Sequence, residues 1–266
     1  MKRFFYLLTF VTLSALSAAS CSGDDDDDDN PGTSGTGGSG TGGSGTGGSG
    51  TGGGGTGGSG TGGSGTGGSG GGGAATMTFF VTSKTNSGNL GGIAGADKQC
   101  QDLAAAVGAG AKTWRAYLSA EDGGNGQPVN ARDRIGAGPW VNAAGVTIAE
   151  NLDALHARTG EADDFLDERG AKINGQWTDS PDPNEHDILT GSTAEGRVEA
   201  GKHCSNWTSD ADDVIAKVGH SDGLGPQQDA TPPRNSWQSA HDSAGCSAAA
   251  LAQRGGAGRF YCFATN

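Results

Sequence analysis

The chain has 266 residues, 53 glycines and a formal net charge of −13, but 27 of the glycines fall between Gly32 and Gly73. Setting aside that tract, the acidic run and the leader leaves about 191 residues from Thr76 onward, which suits one domain with a real core. That part is also acidic, with a net charge of −9. This excludes a phosphate-backbone binder, because such affinity comes from Lys and Arg displacing counterions, and no nucleic-acid partner is expected.

Lys2 and Arg3 precede an apolar stretch from Phe4 to Leu16, then small residues and Cys21. That is the order of a secretory signal, and the stretch is too short to span a bilayer. The segment resembles a bacterial lipoprotein signal, although Ala18 stands where that family usually has Leu. The resemblance implies that residues 1–20 are removed and that Cys21 is lipidated. Five cysteines are odd for an exported chain, and acylating Cys21 leaves an even four. Asp24 to Asp29 form a hydrated block, and an acidic run just after a lipidated cysteine resembles a surface-display signal. The Gly/Ser/Thr-rich repeat that follows, from about residue 32 to 73, cannot offset the entropy of ordering and reads as a flexible coil with an r.m.s. span of roughly 35 Å, so 21–75 comprises the attachment cysteine, the aspartate run and a disordered linker. The expected location is the bacterial cell envelope, at the outer membrane or cell surface, with the membrane as partner through the lipid.

The domain, residues 76–266, opens with a strand-like Thr76–Ser83. Ala96, Cys100, Leu103 and Val107 mark one face of a helix between Gly92 and Gly108. Thr113 to Ser119 alternates as a half-buried strand, with Arg115 and Tyr117 on its outer side. Thr147-Ile-Ala-Glu150 reads as a capping box opening a second helix that carries Ile148, Leu152 and Leu155. Asn174-Gly175 signals a tight hairpin. No periodicity is visible from Asp179 to His203, and Gly258 to Thr265 alternates as a closing strand. The fold class is α+β, two helices with small antiparallel sheets and long loops. Cys100, Cys204, Cys246 and Cys262 are expected to form two disulfides, for which three pairings are open. No cysteine pair has zinc-site spacing.

These pieces resemble a C-type lectin-like domain, and most closely an uncharacterised family of exported bacterial domains related to that fold and to endostatin. The matching segments are Gly95-Ala-Asp-Lys-Gln-Cys100, Ala131-Arg-Asp-Arg-Ile135, Cys204-Ser-Asn-Trp-Thr-Ser209 and Arg259-Phe-Tyr-Cys-Phe263, within residues 77–264. The resemblance implies the nested pairing Cys100–Cys262 and Cys204–Cys246, which would tie the first helix to the last strand. It also implies where a sugar-binding calcium would sit: Asp182, Asn184 and Glu185 in the long loop, completed by Asp242 after Trp237. Calcium wants six to eight oxygens, and a sugar's vicinal hydroxyls can supply two.

Trp140 and Trp237, flanked by Pro, Gly and polar residues, are candidates to stack on a ligand, whereas Trp114, Trp177 and Trp207 read as core. Asp163, Asp164, Asp167 and Glu168 read as a solvated face. His156, His186, His203, His220 and His241 are scattered without a metalloprotease or nucleophile motif, and no catalytic residue is assigned. The expected function is non-enzymatic: a lipid-anchored lectin-like head binding a glycan or an extracellular protein. The alternatives are an envelope polysaccharide hydrolase using paired loop carboxylates, or a purely structural surface lipoprotein.

Overall fold

A computed structural model describes residues 76–265. The signal segment, Cys21, the aspartate run and the glycine-rich linker lie outside the described residues. The chain runs β1 (Phe79–Val81), α1 (Gly92–Ala106), β2 (Trp114–Ala116), β3 (Trp140–Val141), β4 (Thr147–Ala149), α2 (Leu152–Ala157), β5 (Asp187–Leu189), β6 (Lys217–His220), β7 (His241–Asp242), α3 (Ala248–Ala252) and β8 (Gly256–Ala264). A further helical turn, Cys204–Trp207, is left-handed, with φ between 47° and 64° at all four residues.

The nine-residue β8 is the spine of the main sheet. It pairs antiparallel with β1 and β2 through its C-terminal half and parallel with β5 through its N-terminal half. Beyond β5 the sheet continues antiparallel through β6 and β7. The expectation of purely antiparallel sheets therefore fails at β5–β8, and α3 is a helix that the sequence reading did not include. Among the described residues no helix is long and apolar enough to cross a membrane.

Alternation explains why this sheet is covered on both faces. Phe80, Phe260 and Cys262 point into one apolar cluster with Trp114, Leu118 and Trp207. Phe79, Val81, Tyr261 and Phe263 point into another with Tyr117, Trp140, Phe165, Ile188 and Trp237. Successive side chains of a strand face opposite ways, so one pair of strands serves two cores. Helix α1 closes the first face, and Cys100 on its buried side is bonded to Cys262, 162 residues away. Cys204 is bonded to Cys246. Gly88 lies against this second bridge so closely that a Cβ there would sit 2.8 Å from the Cys204 Cβ and 2.9 Å from the Cys246 Cβ.

Four local readings are corrected. Thr147–Ala149 is a strand paired with Trp140–Val141, and helix α2 starts later, with Asn151 accepting the Ala154 N–H at 2.9 Å. Asn174-Gly175 is not a hairpin but leads into a 3-10 turn, Gln176–Thr178. Gly175 is needed for a close approach, since a Cβ there would lie 2.5 Å from the Asp222 carboxylate. Tyr117, placed outward by alternation, is fully buried, because β2 ends at Ala116 and the chain turns into the second core. The acidic stretch is not simply a solvated face: Asp167 and Glu168 are buried, and Glu168 accepts the Ser83 N–H at 3.0 Å and its hydroxyl at 2.5 Å.

The tryptophan assignments also change. Trp140 and Trp237 are buried, at 1% and 0% exposure, and cannot stack on an external ligand. Trp140 packs edge-on against Phe263, and the Trp237 indole N–H donates to the Leu155 carbonyl at 3.0 Å. The polar and Pro/Gly neighbours that suggested a surface position form the turns delivering each ring inward. Trp177, read as core, is 38% exposed, with the Lys172 ammonium 4.8 Å from its ring.

Candidate metal centre

Three short strands bring His186, Asp187, His220 and His241 together. His186 and Asp187 stand at the start of β5, His220 ends β6 and His241 begins β7. Pairing places Asp187 opposite His220 and His241 opposite Val218. His220 lies two residues from Val218, so the strand period puts His220 and His241 on one face. The His186 and His220 rings stack at 4.4 Å, and the His241 ring meets His220 edge-on at 4.9 Å.

All three imidazoles turn Nε2 toward the Asp187 carboxylate. His186 and His220 lie 3.3 Å from Oδ1, and His241 lies 3.4 Å from Oδ2. Their Nδ1 atoms face away, toward the Asp222 carboxylate at 2.8 Å, the Arg234 carbonyl at 2.7 Å and the Asp242 carbonyl at 3.0 Å. Those oxygens only accept, so each Nδ1 carries the proton and donates. A neutral ring of that tautomer presents a lone pair at Nε2. Asp187, His186 and His220 are each about 2% exposed or less, and Asp187 Oδ1 has no hydrogen bond.

The electrostatics fit a carboxylate held ionised among imidazoles. Burial would raise the Asp187 carboxyl, but its histidine neighbours outweigh it and hold it below the usual carboxylate range. Burial would likewise lower the His241 imidazole, yet Asp187 beside it leaves the net shift upward. Asp222 fixes the far side of His186 and also accepts the Leu224 N–H at 3.1 Å.

The cluster floors a cleft of about 680 Å³. Asn184, Arg234, His241, Gln253 and Arg254 line it, and no Asp or Glu does. Arg234 and Arg254 are its two guanidinium groups, and Arg234 is paired with Asp229 at 3.1 Å.

Of the four residues expected to hold calcium, Glu185 and Asp242 have cationic partners, whereas the buried Asn184 Oδ1 has no hydrogen-bond partner. Asp182, Asn184 and Glu185 do line one neighbouring pocket. Glu185 is paired with Arg259 at 2.5 Å, however, and Asp242 bridges Lys202 at 2.5 Å and Lys217 at 2.7 Å. Partial burial would raise the Asp242 carboxyl, but the two ammonium groups hold it below the usual range. Among the described residues the three or more potential ligands that converge are His186, Asp187 and His220. Sequence reasoning missed them because they come from separate strands, each too short to carry a periodic signal. The adjacent His186-Asp187 pair was the one available hint, in a loop read only for its acids. No protein-family model matches the chain, and no curated protein matches it.

Proposed function

We propose that the chain is an exported lipoprotein, held at the cell envelope through Cys21, that displays a non-enzymatic head of C-type lectin-like fold for an acidic glycan. Two observations support an exported, lectin-like head. Its two disulfides are nested, the outer one joining the first helix to the last strand. Structural disulfides of this kind persist in oxidising compartments. The observation that carries the ligand class is the cleft, where Arg234 and Arg254 flank three histidines without a lining carboxylate. Carboxylate or sulfate groups on a sugar would meet planar guanidinium donors there, while Asn184 and Gln253 offer neutral partners to hydroxyls. A cleft without lining carboxylates favours binding over paired-carboxylate hydrolysis, which needs two acids facing the substrate.

Acidic and neutral polysaccharides of matched backbone, titrated calorimetrically against the full chain, test this reading. Binding confined to the acidic set, and weakened about tenfold or more by Arg254→Ser, is the expected result. Equal binding of both sets, or none of either, would reject it. Fatty-acid labelling that survives Cys21→Ala would reject the anchor.

A further inference from the structure

We infer that His186, His220 and Asp187 bind a divalent transition metal of the zinc class, with His241 steadying the far oxygen of Asp187. This does not depend on what occupies the cleft. The two Nε2 atoms each lie 3.3 Å from Asp187 Oδ1. Those two spacings match the edge of a tetrahedron, about 3.3 Å, whose corners lie ~2.0–2.1 Å from a central ion as zinc ligands do, and the ligand atoms of all three residues lie within 4.8 Å of one another. Each imidazole is already locked in the ligating tautomer by an oxygen behind it, the arrangement found around metal-bound histidines. For His186 that oxygen belongs to a carboxylate, Asp222 Oδ1 at 2.8 Å.

Asp187 Oδ1 is buried with two imidazole nitrogens 3.3 Å away, and neither makes a well-aligned hydrogen bond to it. The His186 and His220 rings, 12° from parallel, would turn to bring both Nε2 atoms onto one cation beside Asp187 Oδ1, and that cation would satisfy the buried oxygen. The donor set selects its class, because two imidazoles and one carboxylate suit zinc, cobalt or nickel rather than the all-oxygen preference of calcium. The fourth position of a tetrahedral ion would be open toward the cleft, and the cleft is its entry path.

The test uses the untagged full chain, stripped with a chelator and titrated with Co²⁺, Zn²⁺ and Ca²⁺ separately. The expected result is one equivalent of Co²⁺ giving the visible absorption of a tetrahedral complex, displaced by Zn²⁺ and unaffected by Ca²⁺. His186→Gln and His220→Gln each weaken zinc binding about 100-fold or more, whereas Asp222→Asn weakens it ~10–100-fold while preserving the cobalt spectrum. His203→Gln, with its ring bonded to Glu121, leaves affinity unchanged. Should the ligand variants fail to fold, imidazole ¹⁵N shifts in the wild-type chain decide: zinc moves those of His186 and His220, and not those of His156 or His203. No cobalt or zinc uptake, retained affinity in both folded ligand variants, or zinc-dependent shifts at His156 or His203 instead would overturn the inference.

Discussion

Replacing Trp237 with Phe measures how much of the second core rests on one ring. Trp237 is fully buried and lies 4.8 Å from Tyr117, 5.1 Å from Tyr261 and 5.9 Å from Phe165, centroid to centroid. The substitution keeps an aromatic ring but removes the indole N–H, leaving the Leu155 carbonyl without that donor at a cost of about 1–3 kcal/mol. Losing the second ring's apolar surface removes roughly 1 kcal/mol of burial, with a smaller cavity contribution on top. The sum is about 3 kcal/mol, a large fraction of the ~5–15 kcal/mol that stabilises a typical domain. Equilibrium urea unfolding with both disulfides intact is the assay, and the midpoint should fall at unchanged slope. A loss below about 0.5 kcal/mol, accompanied by weaker glycan binding, would refute the reasoning and return Trp237 to the ligand surface.

Three further predictions follow from the same kind of accounting. Asp97→Asn should lower stability by about 3 kcal/mol in urea, because Asp97 is buried and accepts from Arg134, Arg115 and the Ala116 N–H, and Arg134 would be left buried without its counter-charge; a loss under about 1 kcal/mol would contradict this. His156 is neutral in the fold, its imidazole lowered by burial, with Nδ1 donating to Leu152 and Nε2 accepting the Tyr117 hydroxyl. Its stabilisation is therefore full above the ordinary histidine value of about 6.5 and is lost as pH falls toward the folded value. The melting-point gap between wild type and His156→Gln should narrow on acidification below that value, and a widening gap would reverse the assignment. Removing the outer bridge by Cys100→Ala with Cys262→Ala should cost more than removing the inner one, up to about 5 against about 4 kcal/mol from the 162- and 42-residue loops; the opposite order in urea would rule out loop entropy as the main cause.

The parts of the fold legible in the sequence were those with enough length to show a period. The spacing from Ala96 to Val107 marked α1, and the alternation from Gly258 to Thr265 marked β8, the two elements joined by the outer bridge. The capping-box signal at Thr147 lost to strand pairing with Trp140–Val141, a tertiary preference that local spacing does not carry. Tryptophan burial was misjudged because neighbours report on turns, whereas burial depends on which core the turn faces. The histidine cluster was illegible for a different reason. Its members are set by register between β5, β6 and β7, and a contact made by pairing leaves no trace in the spacing of one chain.

The position of β8 in the chain has a consequence for biogenesis. It is the last described element, yet β1, β2 and β5 all pair with it, so these three stay without a central partner until every other element has been made. A polypeptide emerging N-terminus first exposes Cys100 and Cys204 to oxidant before Cys246 or Cys262. The earliest crosslink open to it within the head is therefore a wrong one. Reaching the nested pairing from a Cys100–Cys204 crosslink would take thiol–disulfide exchange rather than first encounter.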